Sequence, residues 1–98
     1  MIFLNKNEQR MFEEWKDSTL TYFDGWDSSM PVEDAIESTR NDFLGLVDDT
    51  YFSGPLSEYK EIQKILDEFF ADCDFNKVAD KICYEYIPAQ RGFKYKKR

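Results

Sequence analysis

The segment Pro31–Pro55, "PVEDAIESTRNDFLGLVDDTYFSGP", decides the fold class because its apolar residues recur at helical spacing. Proline followed by two acids suits a first helical turn, where no backbone donor is needed and negative charge favours the helix dipole. The pattern predicts an amphipathic helix that begins near Ser29 or Met30 and fails between Val47 and Phe52. Its stripe consists of Val32, Ile36, Thr39, Phe43, Leu46 and Val47.

Similar periodicity flanks this helix on both sides. Before it, Asn5 and Glu8 have the spacing of a capping box and predict a helix that runs to about Phe23. After it, a helix is predicted from Pro55, with an apolar face made of Tyr59, Ile62, Ile65, Leu66, Phe69 and Phe70. A last helix should begin at the N-cap Asp74 and stop by Ile87, because the residue before Pro88 avoids the helical region.

Four helices of roughly 12–19 residues with short connections predict an all-α fold, namely a small four-helix bundle. We assign residues 1–88 to a single helical domain and residues 89–98 to a basic tail. Residues 1–90 contain all 20 acids and 8 bases, a net charge of −12, whereas residues 91–98 contain 5 bases and no acid. An acidic body repels nucleic acid and steers toward basic partners, although the same charge also serves solubility.

The composition argues against catalysis. Histidine is absent from the sequence, which removes triad chemistry and imidazole metal ligands, and no Gly-rich phosphate loop occurs. "DGWDSS" and "DCDFNK" lack the closing glutamate of a calcium loop. Adjacent acid pairs point about 100° apart on a helix and do not share a site. A carboxylate dyad from separate segments stays open, but we predict no enzyme, no cofactor and no metal.

Two cysteines, Cys73 and Cys83, fall at positions that the helical pattern predicts to be buried. A disulfide between them stays open, but free thiols in a reducing compartment are the favoured interpretation. The first ten residues lack a signal-peptide pattern, and no apolar run nears the ~20 residues of a membrane span. We therefore expect a cytoplasmic protein.

Acids stand beside large aromatic residues at two predicted helix ends. One reading is that the aromatics cap the core and the aspartates solvate turns. The other is a binding surface, in which carboxylates pair with Arg or Lys and aromatics supply buried anchors. The candidate partner-binding residues are Asp48, Asp49, Tyr51 and Phe52 at the centre, with Asp24, Trp26 and Asp27 as a second patch.

The tail "RGFKYKKR" offers an alternative, since bases interleaved with aromatics can bind single-stranded nucleic acid. The residues concerned are Arg91, Lys94, Lys96, Lys97 and Arg98. The charge of the body opposes such binding, and a solvated tail, or one folded back on the acidic surface, is the simpler interpretation.

In size, helical pattern, acidity and clustered acids with tyrosine ("DDTYF"), the chain resembles the acidic helical immunity proteins of bacteria. These proteins neutralise nuclease toxins of the colicin or contact-dependent inhibition type. The resemblance implies a non-enzymatic inhibitor of a basic nuclease. Small phage inhibitors and DNA mimics that act on host nucleic-acid enzymes share the same character.

Overall fold

The computed structural model describes residues 2–52, 60–69 and 71–94, apart from the side chains at positions 52, 62, 63, 65, 66 and 69. Helix α1 (Lys6–Asp24) begins at the predicted capping box. The Asn5 side chain accepts from the Glu8 amide at 2.8 Å, and the Glu8 carboxylate accepts from the Asn5 amide at 2.9 Å. These two bonds satisfy donors that a helix start leaves unpaired.

Helix α2 (Val32–Val47) continues directly into a π-helical turn, Asp48–Phe52. The α-helix ends at Val47, within the predicted interval, but the chain stays helical through Phe52, which the sequence did not predict. The ring of Tyr51 packs edge-on against that of Trp15, with centroids 6.3 Å apart. This contact joins the turn to α1, at the end of α2 where each aspartate meets an unfavourable helix-dipole effect of about 0.3–1 kcal/mol.

The last helical stretch runs from residue 75 to residue 91 as α4 (Phe75–Lys81), a second π-helical turn (Ile82–Tyr86) and α5 (Ile87–Arg91). Asp74 is the predicted N-cap and accepts from the Asn76 amide at 2.9 Å. The predicted stop by Ile87 is wrong. The Ile87 amide reaches back five residues to the Ile82 carbonyl, and this wider turn accommodates Pro88, which has no donor of its own.

Within residues 2–52, 60–69 and 71–94, three helices pack around the core: α1, α2 and the 75–91 helix. The all-α class is confirmed, whereas the predicted four-helix bundle is not. A further helical segment, α3 (Lys60–Phe69), has only exposed positions among its described side chains. Its predicted apolar face, together with Tyr59 and Phe70, lies outside the described side chains. The buried core consists of Met11, Phe12, Ile36, Phe43, Val47, Val78, Ala79, Ile82, Cys83 and Ile87.

A buried carboxylate joins the starts of α1 and α4. Glu8 is 1% exposed, and besides the Asn5 amide it accepts from the Asp74 amide at 2.9 Å and from Lys77 Nζ at 3.2 Å. Burial raises the pKa of Glu8, but the bonds from the two amides and from Lys77 outweigh it and leave the pKa below its ordinary value. In the part of the chain that is described, no helix is long and apolar enough to cross a membrane.

Candidate partner-binding surface

The central patch predicted from the sequence lies on the π-helical turn after α2. Asp48 and Asp49 are exposed there, whereas Tyr51 is half-buried against Trp15. The side chain of Phe52 lies outside the described ones. The turn therefore presents two carboxylates to the surface and uses Tyr51 for packing.

The second predicted patch is already engaged within the chain. Asp24 pairs with the Arg91 guanidinium, whose hydrogen bonds lower the pKa of Asp24 against the opposing effect of burial. The Trp26 indole donates to Thr39 Oγ1 at 2.9 Å. Asp27 accepts from the amide and the hydroxyl of the serine two residues on, and the amide bond is the main reason that its pKa lies below the ordinary value. These residues shape the α1–α2 connection.

Between the two patches lies a pocket that sequence reasoning missed. Helices α1 and α2 run antiparallel, so that Trp26 meets Thr39 at one end and Trp15 meets Phe43 further along, with ring centroids 5.7 Å apart. The space between them has a volume of about 100 Å³. It is lined by Trp15, Ser18, Thr19, Tyr22, Thr39, Phe43 and Leu46.

The pocket has a rim of large, partly exposed side chains. Leu46 is 47% exposed and Tyr22 is 43% exposed, so two large side chains stand at its edge rather than in the core. No local signal in the sequence points to this pocket. Leu46 and Val47 are neighbours about 100° apart on the helix, a separation that an ordinary apolar face can contain, and the structure has Val47 buried and Leu46 exposed.

The Trp15 indole nitrogen is buried and has no hydrogen-bond partner among the described residues. Leaving such a donor unpaired costs about 1–3 kcal/mol. Trp15 is also one of the pocket residues, with Phe43 and Tyr51 packed edge-on against its ring.

The segment that forms most of the pocket carries a strong negative charge. Residues 17–52 contain nine acids and a single base, Arg40, for a net charge of −8. Arg40 bonds to Asp80 on α4 at 2.6 Å. At the pocket, the Tyr22 hydroxyl donates to the Asp42 carboxylate, and this bond, with a smaller contribution from burial, raises the pKa of Tyr22. Tyr22 thus stays protonated beside an acid.

The start of the basic tail lies on the acidic body. Arg91 pairs with Asp24, and the Phe93 ring packs on Phe23 with centroids 6.1 Å apart. Gly92, in the left-handed region at φ 72°, ends α5 and turns the chain toward this contact. Lys94 is exposed, and Lys96, Lys97 and Arg98 lie outside the described residues.

The thiols are held in their protonated form. Burial raises the pKa of Cys83 to about 12, and burial with the nearby acids Glu8 and Asp74 raises that of Cys73 to about 11. Both are free cysteines, as favoured from the sequence. Across the described ranges, no cluster of three or more Cys, Asp or Glu residues could hold a metal ion.

No family model, curated protein or solved structure matches this chain. The fold and the surface together describe an all-α protein with an apolar pocket on an acidic face.

Proposed function

We propose that this chain is a cytoplasmic, non-enzymatic inhibitor that binds a basic protein, and that it serves as an immunity protein against a nuclease toxin. One observation carries the proposal, namely the net charge of −8 on residues 17–52, whose single base already bonds within the chain. A nuclease cleft is rich in Lys and Arg because it binds phosphates. A surface of opposite charge is suited to occupy that cleft.

The π-helical turn supplies the centre of the proposed interface. Asp48 and Asp49 are exposed and adjacent, so they can accept hydrogen bonds from different arginines or lysines of the partner. Long-range attraction would accelerate association and make the rate fall as salt is added. Because Asp24 pairs with Arg91, a partner's base would have to displace this ion pair to reach Asp24 in the second patch.

The test is a binding measurement with the basic nuclease encoded beside this chain, or one recovered with it from its native cell extract. Asp48→Asn with Asp49→Asn should weaken binding by about tenfold or more, which equals about 1.4 kcal/mol. Glu61→Gln with Glu68→Gln removes the same charge from exposed positions of α3 and is the matched control. Equal affinity of the two double variants would place the interface elsewhere.

Inhibition of nucleic-acid cleavage separates this proposal from a nucleic-acid accessory role of the tail. Replacing Lys94, Lys96, Lys97 and Arg98 with Gln should leave inhibition intact. An accessory protein that works through the tail would instead lose nucleic-acid binding in this variant. Measurable affinity of the unmodified chain for single-stranded DNA, lost on these changes, would favour the tail role.

A further inference from the structure

We propose that the α1–α2 pocket receives an aliphatic side chain from a basic segment of the partner. This inference rests on the proposed function, because it assigns a specific contact to the same basic partner. It adds an anchor point at Trp15, Phe43 and Leu46, beside the aspartates of the π-helical turn.

The lining suits an apolar occupant. Thr19 Oγ1 donates to the Trp15 carbonyl at 2.7 Å, and Thr39 Oγ1 donates to the Ala35 carbonyl at 2.7 Å. Ser18 Oγ also donates to the Trp15 carbonyl, at 3.2 Å. These hydroxyls are engaged within their own helices, so the aromatic rings and Leu46 dominate what an occupant would contact.

The volume selects the kind of side chain. A buried cavity of about 150 Å³ binds benzene, so the roughly 100 Å³ here suits a leucine- or isoleucine-sized group better than an aromatic ring. The walls are preformed, because the Trp15 ring is fixed by edge-on contacts with Phe43 and Tyr51. A preformed pocket that takes one buried anchor is typical of interface hot spots.

The charge around the pocket selects the residues next to the anchor. Asp42 lies four residues before Leu46 on α2, and Asp49 lies three residues after it in the π-helical turn, so both acids are within about one helical turn of Leu46. Asp42 accepts from Tyr22 at the pocket, and Asp49 is exposed. Lysines or arginines that flank the anchor would meet these carboxylates, whereas flanking acids would be repelled.

The test uses three capped pentapeptides titrated to millimolar concentration into the ¹⁵N-labelled full chain, with amide and indole shifts followed by NMR. The probes are Lys-Lys-Leu-Lys-Lys, Lys-Lys-Ser-Lys-Lys and Glu-Glu-Leu-Glu-Glu. We expect the first to give saturable shifts at the Trp15 indole and at the amides of Thr19 and Leu46. The serine and glutamate peptides should bind about tenfold more weakly or not at all.

Substitutions inside and away from the pocket test where the leucine peptide binds. Ser18→Leu fills the pocket from an exposed position of α1 and should weaken binding of the leucine peptide about tenfold, whereas Gln9→Leu, exposed on the same helix away from the pocket, should not. Leu46→Gln alters the rim and serves as the second test if Ser18→Leu unfolds. Thermal unfolding checks that each variant is folded.

Equal binding of the leucine and serine peptides, or undiminished binding by both pocket variants, overturns the inference. Shifts confined to acidic positions such as Asp49 also overturn it, since they indicate charge attraction alone. If an intact nuclease binds but the leucine peptide does not, the pocket assignment fails while the proposed function stands. If the peptide binds in the pocket and no basic nuclease does, the proposed function fails instead.

Discussion

The indole nitrogen of Trp26 donates to Thr39 Oγ1 across 2.9 Å, and Thr39 donates in turn to the Ala35 carbonyl at 2.7 Å. This relay ties the connection after α1 to the buried side of α2, where Thr39 is fully buried. Trp26 therefore fixes the register of the two helices that form the pocket. This structural role accounts for a tryptophan beside a turn, and no binding partner is needed to explain it.

Thr39→Val keeps the shape of the side chain but removes the acceptor for Trp26. We expect it to lower the free energy of unfolding by about 1–3 kcal/mol, because the indole then lacks its bond in a partly buried position. Urea unfolding followed by circular dichroism measures this. Thr50→Val, exposed on the π-helical turn, is the matched control and should change stability by less than about 0.5 kcal/mol. Similar effects of the two changes would show that the relay contributes little.

Glu8 makes stability depend on acid pH. Its folded pKa lies below the ordinary 4.5, so its contribution is fully present above that value and is lost as pH falls through the folded pKa. Glu8→Gln should cost about 2–3 kcal/mol at neutral pH, since two amides and Lys77 lose an anionic acceptor. Below pH 4.5 the difference from the parent chain should shrink.

Urea unfolding over a series of pH values tests this, with the exposed Glu14→Gln as the control. A gap between the parent chain and Glu8→Gln that is independent of pH would show that packing rather than ionisation of Glu8 stabilises the junction of α1 and α4.

Local signals were enough for the parts of the fold that depend on neighbours in sequence. Asn5 with Glu8, and Asp74, mark helix starts because capping bonds close within three residues. The continuation through Asp48–Phe52 was not predictable, because it depends on Tyr51 meeting Trp15 from another helix. The extension past Pro88 likewise depends on the π-helical turn Ile82–Tyr86, and the helix propensities of single residues do not predict such a turn.

The candidate site likewise has parts that the sequence predicts and parts that it does not. Exposure of Asp48 and Asp49 follows from their type, and the structure has both at the surface. The pocket could not be predicted from the sequence, because it lies between side chains far apart in the chain and depends on how α1 and α2 are offset. The pairing of Arg91 with Asp24, 67 positions apart, was hidden for the same reason.

The two thiols should react slowly in the folded protein. Against an ordinary value of 9.0, the pKa of Cys73 is raised to about 11 and that of Cys83 to about 12. At mildly alkaline pH the thiolate fraction is then roughly a hundredfold lower for Cys73 and a thousandfold lower for Cys83. A thiol-specific dye should label Cys73 first and Cys83 last, and both quickly in guanidinium chloride.

The variants Cys73→Ser and Cys83→Ala assign the two phases of labelling. Fast labelling of Cys83 in native buffer would mean that the core around Ile82 and Ile87 opens readily, contrary to its full burial.

Gly45 lies inside α2, just before Leu46, and a Cβ added there meets no atom within 4 Å. Gly45→Ala should therefore raise the free energy of unfolding by about 0.5–1 kcal/mol, because alanine restricts the unfolded chain and favours the helix. Thermal or urea unfolding measures the gain. A loss of stability would indicate that the helix around the pocket must bend at this position.

At Gly92 we expect the opposite effect of an alanine substitution on stability. Space around it is equally open, but its φ of 72° lies in the left-handed region, which a Cβ disfavours by about 1–2 kcal/mol. Gly92→Ala should destabilise the protein by about that amount. It should also loosen Phe93 from Phe23, visible as a loss of ring-ring contacts by NMR. If alanine is tolerated here at no cost, α5 does not end in the left-handed cap, and the tail has another path along the acidic body.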